Sequence, residues 1–392
     1  MRVLCFADTR FPIERANGLQ TMATCHALAQ RGHDVTLVVR PDTHQPARDP
    51  FEFYGLDPID ALWVRPVAAG AGTGTRRARF LISAAAIATA SGRDATVLTR
   101  DLGLASWLVR IPRRQRPAVV YESHGVADVV AKEMPVLLGK PELAASSRKV
   151  DRLARREQRV WSRAAAYVTL TKMLADELTE RFGARSKVFV VPDAAAPAEP
   201  IAPPPDEPFV AGYAGHLYPW KGVDVFVHAI AAAPGVHGLI VGGHPGESDL
   251  ARVQQLVTSL SLNDRITITG LLPPRDVRAN LAKAAVLVLP NTASAISARY
   301  TSPLKLFEYL SLDRAIVASD FPATREILDD RLTAILVPPG DASALARALM
   351  ELQSRPDLRR LLGDAAGALA PKYTWDARAK RIEAALEAAQ TA

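Results

Sequence analysis

Short apolar runs alternate with helix-length segments along almost all of the 392 residues, and this alternation restricts the possible folds more than any other feature. The chain starts with an apolar run at residues 3–6, continues with a helical segment at 19–30 and returns to an apolar run at 34–39. A helix between two strands carries the chain back along the sheet, so this pattern gives mostly parallel strands. The sequence therefore predicts an α/β fold.

One proline-rich stretch interrupts the alternation. Residues 193–208 contain six prolines among sixteen residues, which is typical of an extended linker. The chain is also longer than a single ordinary core requires. We therefore predict a first domain at 1–192, a linker at 193–208, a second domain at 209–374 and a closing helix at 375–392.

Positive charge is concentrated in the first half of the chain. Of the 48 Lys and Arg residues, 29 lie in residues 1–200, whereas the same half holds 21 of the 41 Asp and Glu residues. The formal net charge of +7 therefore comes from this half, which suits phosphates, acidic substrates or an anionic membrane surface. The basic residues are mostly Arg without interleaved aromatic residues, which argues against a nucleic-acid partner.

The sequence also carries signals about the compartment. Cys5 and Cys25 are too few for a disulfide scaffold and indicate a reducing environment. The first apolar run is too short for a signal peptide, and the uncharged run at residues 80–92 is too short to span a bilayer. We expect a cytoplasmic protein. A helix predicted at 143–163 carries seven Lys and Arg residues, which fit either a solvated face or peripheral attachment to the inner face of the membrane.

One predicted helix start in the second half has the features of an anion site. Ser302 is predicted as the N-cap and Pro303 as the first helical residue. The amides of Leu304 and Lys305 would then be free to face an anion. Glu308 follows one turn later among apolar residues, where a carboxylate needs a partner such as a sugar hydroxyl. A capped surface helix with a salt-bridged Glu308 explains the same residues equally well.

Loops at predicted strand ends carry further candidate residues. The loop at 215–222 places Lys221 just before a helix, which suits an anion, although the spacing is not that of the common P-loop. In the first half, His124 ends a predicted strand and Gly18 ends the loop at 14–18, where open α/β sheets bind ligands. A structural histidine and an ordinary turn glycine are the alternatives for these two residues.

Several of these segments, in this order along one chain, resemble the family-4 retaining glycosyltransferases, also described as glycosyl transferases group 1. The matching segments are residues 17–20, 31–37, 215–222, 241–243, 269–270, 302–308 and 315–319. The resemblance implies the GT-B fold, in which two Rossmann-like domains face each other across a cleft and a C-terminal helix crosses back to the first domain. It also implies transfer of a sugar from a nucleotide diphosphate sugar to an acceptor hydroxyl, with retention of the anomeric configuration.

The resemblance implies a role for each matching residue. Lys221 would contact the donor diphosphate, Glu308 the ribose hydroxyls and His124 the sugar at the reaction centre, so these three are the predicted catalytic residues. Gly270 and Leu272 would border the nucleobase. The predicted donor-binding residues are Gly18, Gly215, His216, Lys221, Gly270, Leu272, Asn291, Tyr300, Ser302, Leu304, Lys305 and Glu308.

The resemblance also implies how the leaving group is stabilised. The sequence contains no Asp-x-Asp pair, so no metal is expected, and Lys221 with the helix amides would take the metal's place. The departing phosphate would accept the proton of the acceptor hydroxyl on the same face of the sugar. No cofactor is expected. The co-substrate is a nucleotide diphosphate sugar, with UDP or GDP favoured, and the acceptor is a sugar, a lipid-linked molecule or a small metabolite.

Two positions depart from the family pattern. Tyr300 stands where the family has a glutamate that contacts the donor sugar, and His216 stands where relatives often have an arginine beside the phosphates. Lys305 is expected to compensate for His216. The alternative functions are a nonhydrolysing sugar-nucleotide epimerase or a phosphorylase of the same fold, and a nucleotide-sugar-binding protein without catalysis.

Overall fold

The computed structural model describes residues 1–67, 72–199, 202, 204 and 207–391. The chain divides into two compact units. Unit 1 consists of Met1–Val130, Ala145–Asp193 and Trp375–Ala392, and unit 2 of Ala131–Ala144 and Ala194–Thr374. Residues 131–144 therefore group with unit 2, whereas the sequence placed them in the first domain. Part of the predicted linker lies outside the described residues, namely 200, 201, 203, 205 and 206.

The described residues of unit 1 form a parallel sheet of seven strands in the order β3-β2-β1-β4-β5-β6-β7. The strands are β1 (Arg2–Arg10), β2 (Asp34–Arg40), β3 (Leu62–Pro66), β4 (Ala95–Thr99), β5 (Ala118–Ser123), β6 (Ala166–Thr169) and β7 (Val188–Val190). The strand order reverses between β1 and β4. Loops at the carboxyl ends of the strands next to such a reversal form the usual ligand crevice of an open α/β sheet.

Seven helices begin between residues 1 and 193 in the described part of unit 1. They are α1 (Ala16–Gln30), α2 (Pro50–Tyr54), α3 (Thr73–Ala90), α4 (Leu102–Leu108), α5 (Ala127–Leu137), α6 (Ser147–Arg163) and α7 (Lys172–Phe182). Two predicted starts were wrong. α1 begins at Ala16 rather than at residue 19, and α6 begins at Ser147 rather than at residue 143, because residues 141–143 form a separate 3-10 turn.

Unit 2 repeats the same architecture with six parallel strands, in the order β10-β9-β8-β11-β12-β13 for its described residues. The strands are β8 (Phe209–Ala214), β9 (Val236–Val241), β10 (Ile266–Ile268), β11 (Val286–Leu289), β12 (Ala315–Ser319) and β13 (Ile335–Val337). The helices are α8 (Val223–Ala232), α9 (Ser248–Ser259), α10 (Pro274–Leu281), α11 (Leu304–Leu310), α12 (Pro322–Arg325), α13 (Ala342–Ser354) and α14 (Pro356–Gly367). The strand order reverses at β8, so the loops after β8 and β11 are neighbours.

A closing helix, α15 (Trp375–Gln390), completes the core of unit 1. It contacts α1 and strands β4 to β7. Its fully buried apolar side chains are Ala379, Ile382, Ala385, Leu386 and Ala389. The predicted α/β class and the return of the C-terminal helix to the first domain are both confirmed. No helix among the described residues is long and apolar enough to cross a membrane.

Candidate active site

Glycines bring the strand-end loops of unit 2 close to one another. A Cβ on Gly222, which has φ 77°, would overlap the carbonyl oxygen of Pro290 after β11. A Cβ on Gly242, which has φ 147°, would overlap the carbonyl oxygen of Gly215 after β8. Only glycine accepts both this backbone conformation and this contact. The loops after β8, β9 and β11 are therefore held together by backbone contacts.

Two lysines lie within this group of loops without a carboxylate partner. Lys305, in the first turn of α11, is 9% exposed, and its Nζ atom has no hydrogen-bond partner among the described residues. Lys221 likewise forms no ion pair within the described part of the chain. Each ammonium group instead lies over an aromatic ring, at 4.0 Å from the ring centre of Tyr213 for Lys305 and at 3.8 Å from that of Trp220 for Lys221. Such a pair favours binding of an anion.

Burial shifts the proton equilibria of both lysines. Desolvation lowers the pKa of Lys221 to about 8. Desolvation, and then the neighbouring charge of Lys221, lower the pKa of Lys305 well below its ordinary value, while Glu308 opposes this shift. A bound anion would raise both pKa values, because it replaces the lost hydration and offsets the repulsion between the two charges.

Glu308 lies one turn after Lys305 in α11, as the sequence placed it. Its carboxylate forms no hydrogen bond or ion pair within 4 Å among the described residues. Burial raises the pKa of Glu308, and the charge of Lys305 partly offsets this. A partly buried carboxylate of this kind is a free acceptor for ligand hydroxyl groups.

The start of α11 differs from the prediction by one residue. Pro303 is the N-cap, with an extended ψ of 127°, so the helix begins at Leu304 and Ser302 lies one position before the cap. Leu304 and Lys305 are therefore the first two helical residues, and not the second and third as predicted. The segment before them, Ile296–Tyr300, forms a π-helical turn, and Tyr300 is only 2% exposed. The position that usually holds the family's glutamate is therefore occupied by a buried aromatic side chain.

His216 is held by a carboxylate that the sequence analysis did not select. Its Nδ1 atom lies 3.3 Å from Oε2 of Glu247, and the Tyr218 hydroxyl donates to Oε1 of the same carboxylate at 2.8 Å. The rings of His216 and Tyr218 stack with 4.9 Å between their centres. Glu247 follows the glycine pair after β9, and its position at a strand end was the signal available in the sequence.

The remaining predicted donor-binding residues lie at neighbouring strand ends. Gly270, after β10, forms an antiparallel bridge with Gly242. Leu272 is half-buried and packs on the core of unit 2. Asn291 is buried, and its Oδ1 atom has no hydrogen-bond partner in the described part of the protein. The structure thus brings Gly215, Gly270 and Asn291 to the same edge of one sheet as the two lysines.

In unit 1, His124 follows β5 and belongs to a dense polar network. Its Nε2 atom lies 2.7 Å from Oε1 of Glu122, and its Nδ1 atom lies 3.3 Å from a guanidinium nitrogen of Arg100. The same Glu122 oxygen accepts hydrogen bonds from Gln20 and Arg378, each at 2.7 Å. The sequence analysis selected His124 but none of these four partners.

Electrostatics in this network favour a neutral imidazole beside an ionised carboxylate. Desolvation, and then the charge of Arg100, lower the pKa of His124. Burial alone would raise the pKa of Glu122, but the charge of Arg378 and the hydrogen bond from His124 hold it far below its ordinary value.

Gly18 has a packing role in unit 1. It lies inside α1, so the prediction that it ends a loop was wrong. A Cβ on Gly18 would overlap the Tyr54 hydroxyl and the side chain of Ile13. The Tyr54 hydroxyl is fixed there, because it binds the backbone N–H and C=O of Ile13 at 2.9 Å each. The absence of a side chain at Gly18 thus lets α1 pack against this hydroxyl.

Comparison with known protein families supports the class of protein that the fold and these loops suggest. Residues 208–355 match the family model described as glycosyl transferases group 1, and residues 18–194 match a glycosyl transferase 4-like domain. The chain therefore belongs to the group 1 glycosyltransferase family.

Curated relatives are similar to parts of the chain. An α-D-kanosaminyltransferase of Streptomyces kanamyceticus is 27% identical over 182 residues, which cover 45% of each chain. A D-inositol 3-phosphate glycosyltransferase of Nocardia farcinica is 28% identical over 295 residues, which cover 70% of this chain and 61% of the relative. The chain thus spans between about half and just under two thirds of the length of these relatives.

Solved structures show the same fold. Sucrose-phosphate synthase of Thermosynechococcus elongatus has a TM-score of 0.75 at 18% identity, covering 98% of this chain and 97% of that one. Anabaena HepE in complex with UDP has a TM-score of 0.73 at 15% identity, covering 99% and 100%. The predicted GT-B fold is confirmed.

Proposed function

We propose that this protein is a retaining glycosyltransferase that moves a sugar from a nucleoside diphosphate sugar to an acceptor hydroxyl without a metal ion. The observation that carries the proposal is the pair of Lys221 and Lys305. Their ammonium groups are desolvated, lie close enough to repel each other and have no carboxylate partner among the described residues. A diphosphate supplies the missing negative charge. Family membership supports the same chemistry.

The remaining residues of unit 2 fit the other parts of such a donor. The carboxylate of Glu308 is free to accept hydrogen bonds from ribose hydroxyls. The loop with Gly270 and Leu272 would border the nucleobase. HepE has been crystallised with UDP and with UDP-glucose, which favours UDP among the nucleotides proposed here. The two lysines would take the role that a metal ion has in other transferases.

The proposed reaction exchanges one bond at the anomeric carbon for another and moves one proton. The bond between the anomeric carbon and the β-phosphate oxygen breaks, and negative charge develops on the diphosphate, where Lys221 and Lys305 stabilise it. The acceptor oxygen bonds to the anomeric carbon on the same face, and its proton passes to the departing phosphate oxygen. The family resemblance assigns His124 to the sugar at this reaction centre.

The acceptor is proposed only by class. Curated relatives include D-inositol 3-phosphate glycosyltransferases and an α-D-kanosaminyltransferase. These names favour a polyhydroxylated acceptor, such as a sugar or a cyclitol, and a lipid-linked form of such an acceptor fits the basic character of unit 1. The proposed location is cytoplasmic, with peripheral attachment to the inner face of the membrane.

A thermal-shift panel with UDP, GDP, ADP, dTDP and their common sugars tests the donor site. A ligand at about 100 times its Kd stabilises the folded protein by about 2.7 kcal/mol. We expect one nucleotide class to raise the Tm of the wild type, and both Lys221→Ala and Lys305→Ala to lose this shift while remaining folded. Lys372→Ala removes an exposed charge from the same unit and should keep the shift.

Two results would contradict the proposal. Absence of a shift with every nucleotide would remove the donor site, and a shift retained in Lys305→Ala would end the idea that Lys305 compensates for His216. Product analysis then separates the reactions of this fold. A transferase releases nucleoside diphosphate only with an acceptor, an epimerase needs no acceptor, and a phosphorylase needs free phosphate. The anomeric configuration of the product, read by NMR, decides retention.

A further inference from the structure

Three hydrogen-bond donors converge on a single oxygen atom in unit 1. Nitrogen atoms of His124, Gln20 and Arg378 each lie 2.7 Å from Oε1 of Glu122. An ionised carboxylate can only accept hydrogen bonds, so each of these partners must present an N–H group. For His124 this requirement places a hydrogen on Nε2.

The other ring nitrogen of His124 faces a group that can only donate. A guanidinium nitrogen of Arg100 lies 3.3 Å from Nδ1, and arginine has no acceptor. Nδ1 must therefore offer its lone pair. A proton on Nδ1 would point at the Arg100 cation, although the carboxylates of Glu122 and Asp193 favour the charged ring. The two contacts together select one neutral tautomer.

Arg378 is the best-anchored member of the network. This residue of α15 is 0% exposed and also donates to the carbonyl oxygens of Val191 and Pro192, at 2.9 and 2.6 Å, and to Oγ1 of Thr24 at 3.1 Å. Two of these acceptors belong to consecutive residues that follow β7, and the third lies on α1. They fix the guanidinium independently of Glu122, so that Arg378 can act as a rigid support for the carboxylate.

We propose that Arg378 is a positioning residue for His124, and that it acts through Glu122. Arg378 keeps Glu122 ionised and in place, and Glu122 then holds the His124 ring in the Nε2–H tautomer. The inference rests on the proposed function in assigning His124 to the donor sugar. With both ring nitrogens bound inside unit 1, the imidazole serves as a fixed neutral group and does not exchange protons with the substrate.

Histidine ring signals of the full-length protein test this assignment directly. The chain has eight histidines, so a sample labelled with ¹⁵N-histidine gives few signals, and His124 is identified by the one missing in His124→Gln. We expect the wild-type ring to carry its hydrogen on Nε2 and to remain neutral below pH about 6.5, where an unperturbed histidine titrates.

Substitution of Arg378 should release this arrangement. In Arg378→Met the carboxylate of Glu122 loses its support and its nearest cation, so we expect mixed tautomers and a higher His124 pKa. Arg378→Lys keeps the charge and should restore part of the wild-type behaviour. Lys380→Met removes an exposed charge two residues away on the same helix and should leave the ring signals unchanged.

Transfer kinetics provide a second readout. Since the neutral ring is the competent form, a higher His124 pKa moves the acidic limb of the kcat profile of Arg378→Met to higher pH. The KM for the donor should change less than kcat, because the lysines proposed to bind the diphosphate, Lys221 and Lys305, lie in unit 2, whereas Arg378 lies in unit 1. Ring signals and pH profile in Arg378→Met that match those of Lys380→Met would overturn the proposal.

A second variant at Glu122 tests the same contact without a change at Arg378. If Arg378→Met does not fold, Glu122→Met takes its place, since the methionine side chain has no oxygen that could accept an N–H from the ring. An unchanged His124 tautomer in that variant also overturns the proposal. The NMR measurements need no substrate, so failure of the proposed transferase activity would appear separately, as absence of nucleotide binding in the wild type.

Discussion

At the scale of single residues, Lys221 and Lys305 are unfavourable in the ligand-free protein. Removing an ammonium group from water without a partner costs free energy, and two such groups close together repel each other. The aromatic rings beneath them offset only part of this cost, since a cation over a ring gains about 0.5–2 kcal/mol. The stored free energy is recovered when an anion binds, which is how a preorganised electrostatic site works.

The lysine pair makes donor binding dependent on pH. Lys221 has a pKa of about 8 in the free protein, and the anion binds its protonated form. Below pH 8, the protonation of Lys221 should not change the affinity for the anion. Above pH 8, the affinity should fall by up to about tenfold per pH unit, because binding then requires Lys221 to take up a proton. The measurement is the Kd for UDP, by calorimetry, between pH 7 and pH 9.5.

Lys221→Arg is the matched control for this measurement, because a guanidinium stays protonated throughout the range. Its loss of affinity with rising pH should be smaller than that of the wild type. Equal slopes in both proteins would show that Lys221 does not titrate in the donor site.

The sequence pointed to some candidate site residues and not to others, for a physical reason. Glu308 stands out because it lies among apolar residues of its own helix, and Lys221 and Lys305 stand out because each lies at a predicted helix start. Gln20 and Arg378 do not stand out, since their meaning depends on a partner far away in the sequence. Arg378 and Glu122 are separated by 256 positions. Local pattern carries no information on such a contact.

At the scale of elements, a buried carboxylate of α6 stabilises the start of α5. Glu157 is 0% exposed, and its Oε2 atom accepts a hydrogen bond at 2.8 Å from the backbone N–H of Ala127, the first residue of α5. The other carboxylate oxygen has no hydrogen-bond partner among the described residues. Burial, together with the nearby Asp128, raises the pKa of Glu157 to about 7.

This raised pKa predicts how Glu157 contributes to stability. Between pH 4.5 and about 7 the unfolded chain releases this proton while the folded protein keeps it, so the contribution of Glu157 becomes less favourable as the pH rises. The whole shift corresponds to about 3 kcal/mol. Glu157→Gln should therefore gain stability relative to the wild type by up to about this amount between pH 4.5 and pH 7.5, measured by urea unfolding.

Glu180→Gln is the control for this prediction, since Glu180 is exposed on α7. Its difference from the wild type should be nearly independent of pH. If Glu157→Gln shows the same flat dependence, the carboxylate of Glu157 titrates normally and the buried contact with α5 does not control its proton.

Whether an element could be predicted from the sequence depended on its place in the sheet. Central strands such as β5 and β11 are buried on both faces and appear as continuous apolar runs. The edge strand β3 does not appear as an apolar run, because most of its residues are in contact with solvent and Trp63 is 65% exposed. The helix α2 has only five residues and was also missed. Helix ends were misplaced by a few residues, since Pro303 and the turn at 141–143 depend on local backbone angles.

At the scale of the whole molecule, part of the positive charge of the first half of the sequence lies in a cluster of arginines on α6. On α6 the exposed arginines include Arg152, Arg155 and Arg163. Arg156 is desolvated, and its pKa is further lowered by Arg152 and Arg110, which shows that these cations repel one another. An anionic surface would relieve this repulsion. We propose that this arginine cluster attaches the protein to anionic lipid.

Vesicle sedimentation tests this attachment. The protein should sediment with vesicles containing phosphatidylserine at low salt, and should be released at high salt because the attraction is screened. A Lys or Arg near such a surface contributes about 1 kcal/mol. The double variant Arg152→Glu with Arg155→Glu should therefore bind at least about tenfold more weakly.

The control for vesicle binding changes the net charge equally in the other unit. Arg347→Glu with Lys372→Glu reverses two exposed charges of unit 2 and should sediment like the wild type. No sedimentation of the wild type at low salt would remove the membrane from the partners of this protein. Equal weakening by both double variants would assign the effect to net charge alone.

The contribution of α15 to the core of unit 1 has a consequence for protein synthesis. The ribosome delivers this helix only after about 180 residues of unit 2, which take roughly 10 to 40 s at common elongation rates. Until then, the apolar positions that Ile382 and Leu386 later cover remain uncovered on the nascent chain. Synthesis of unit 1 therefore begins before that of unit 2 and ends after it. The length of unit 2 sets the time during which the nascent chain exposes this apolar surface and is most prone to aggregate.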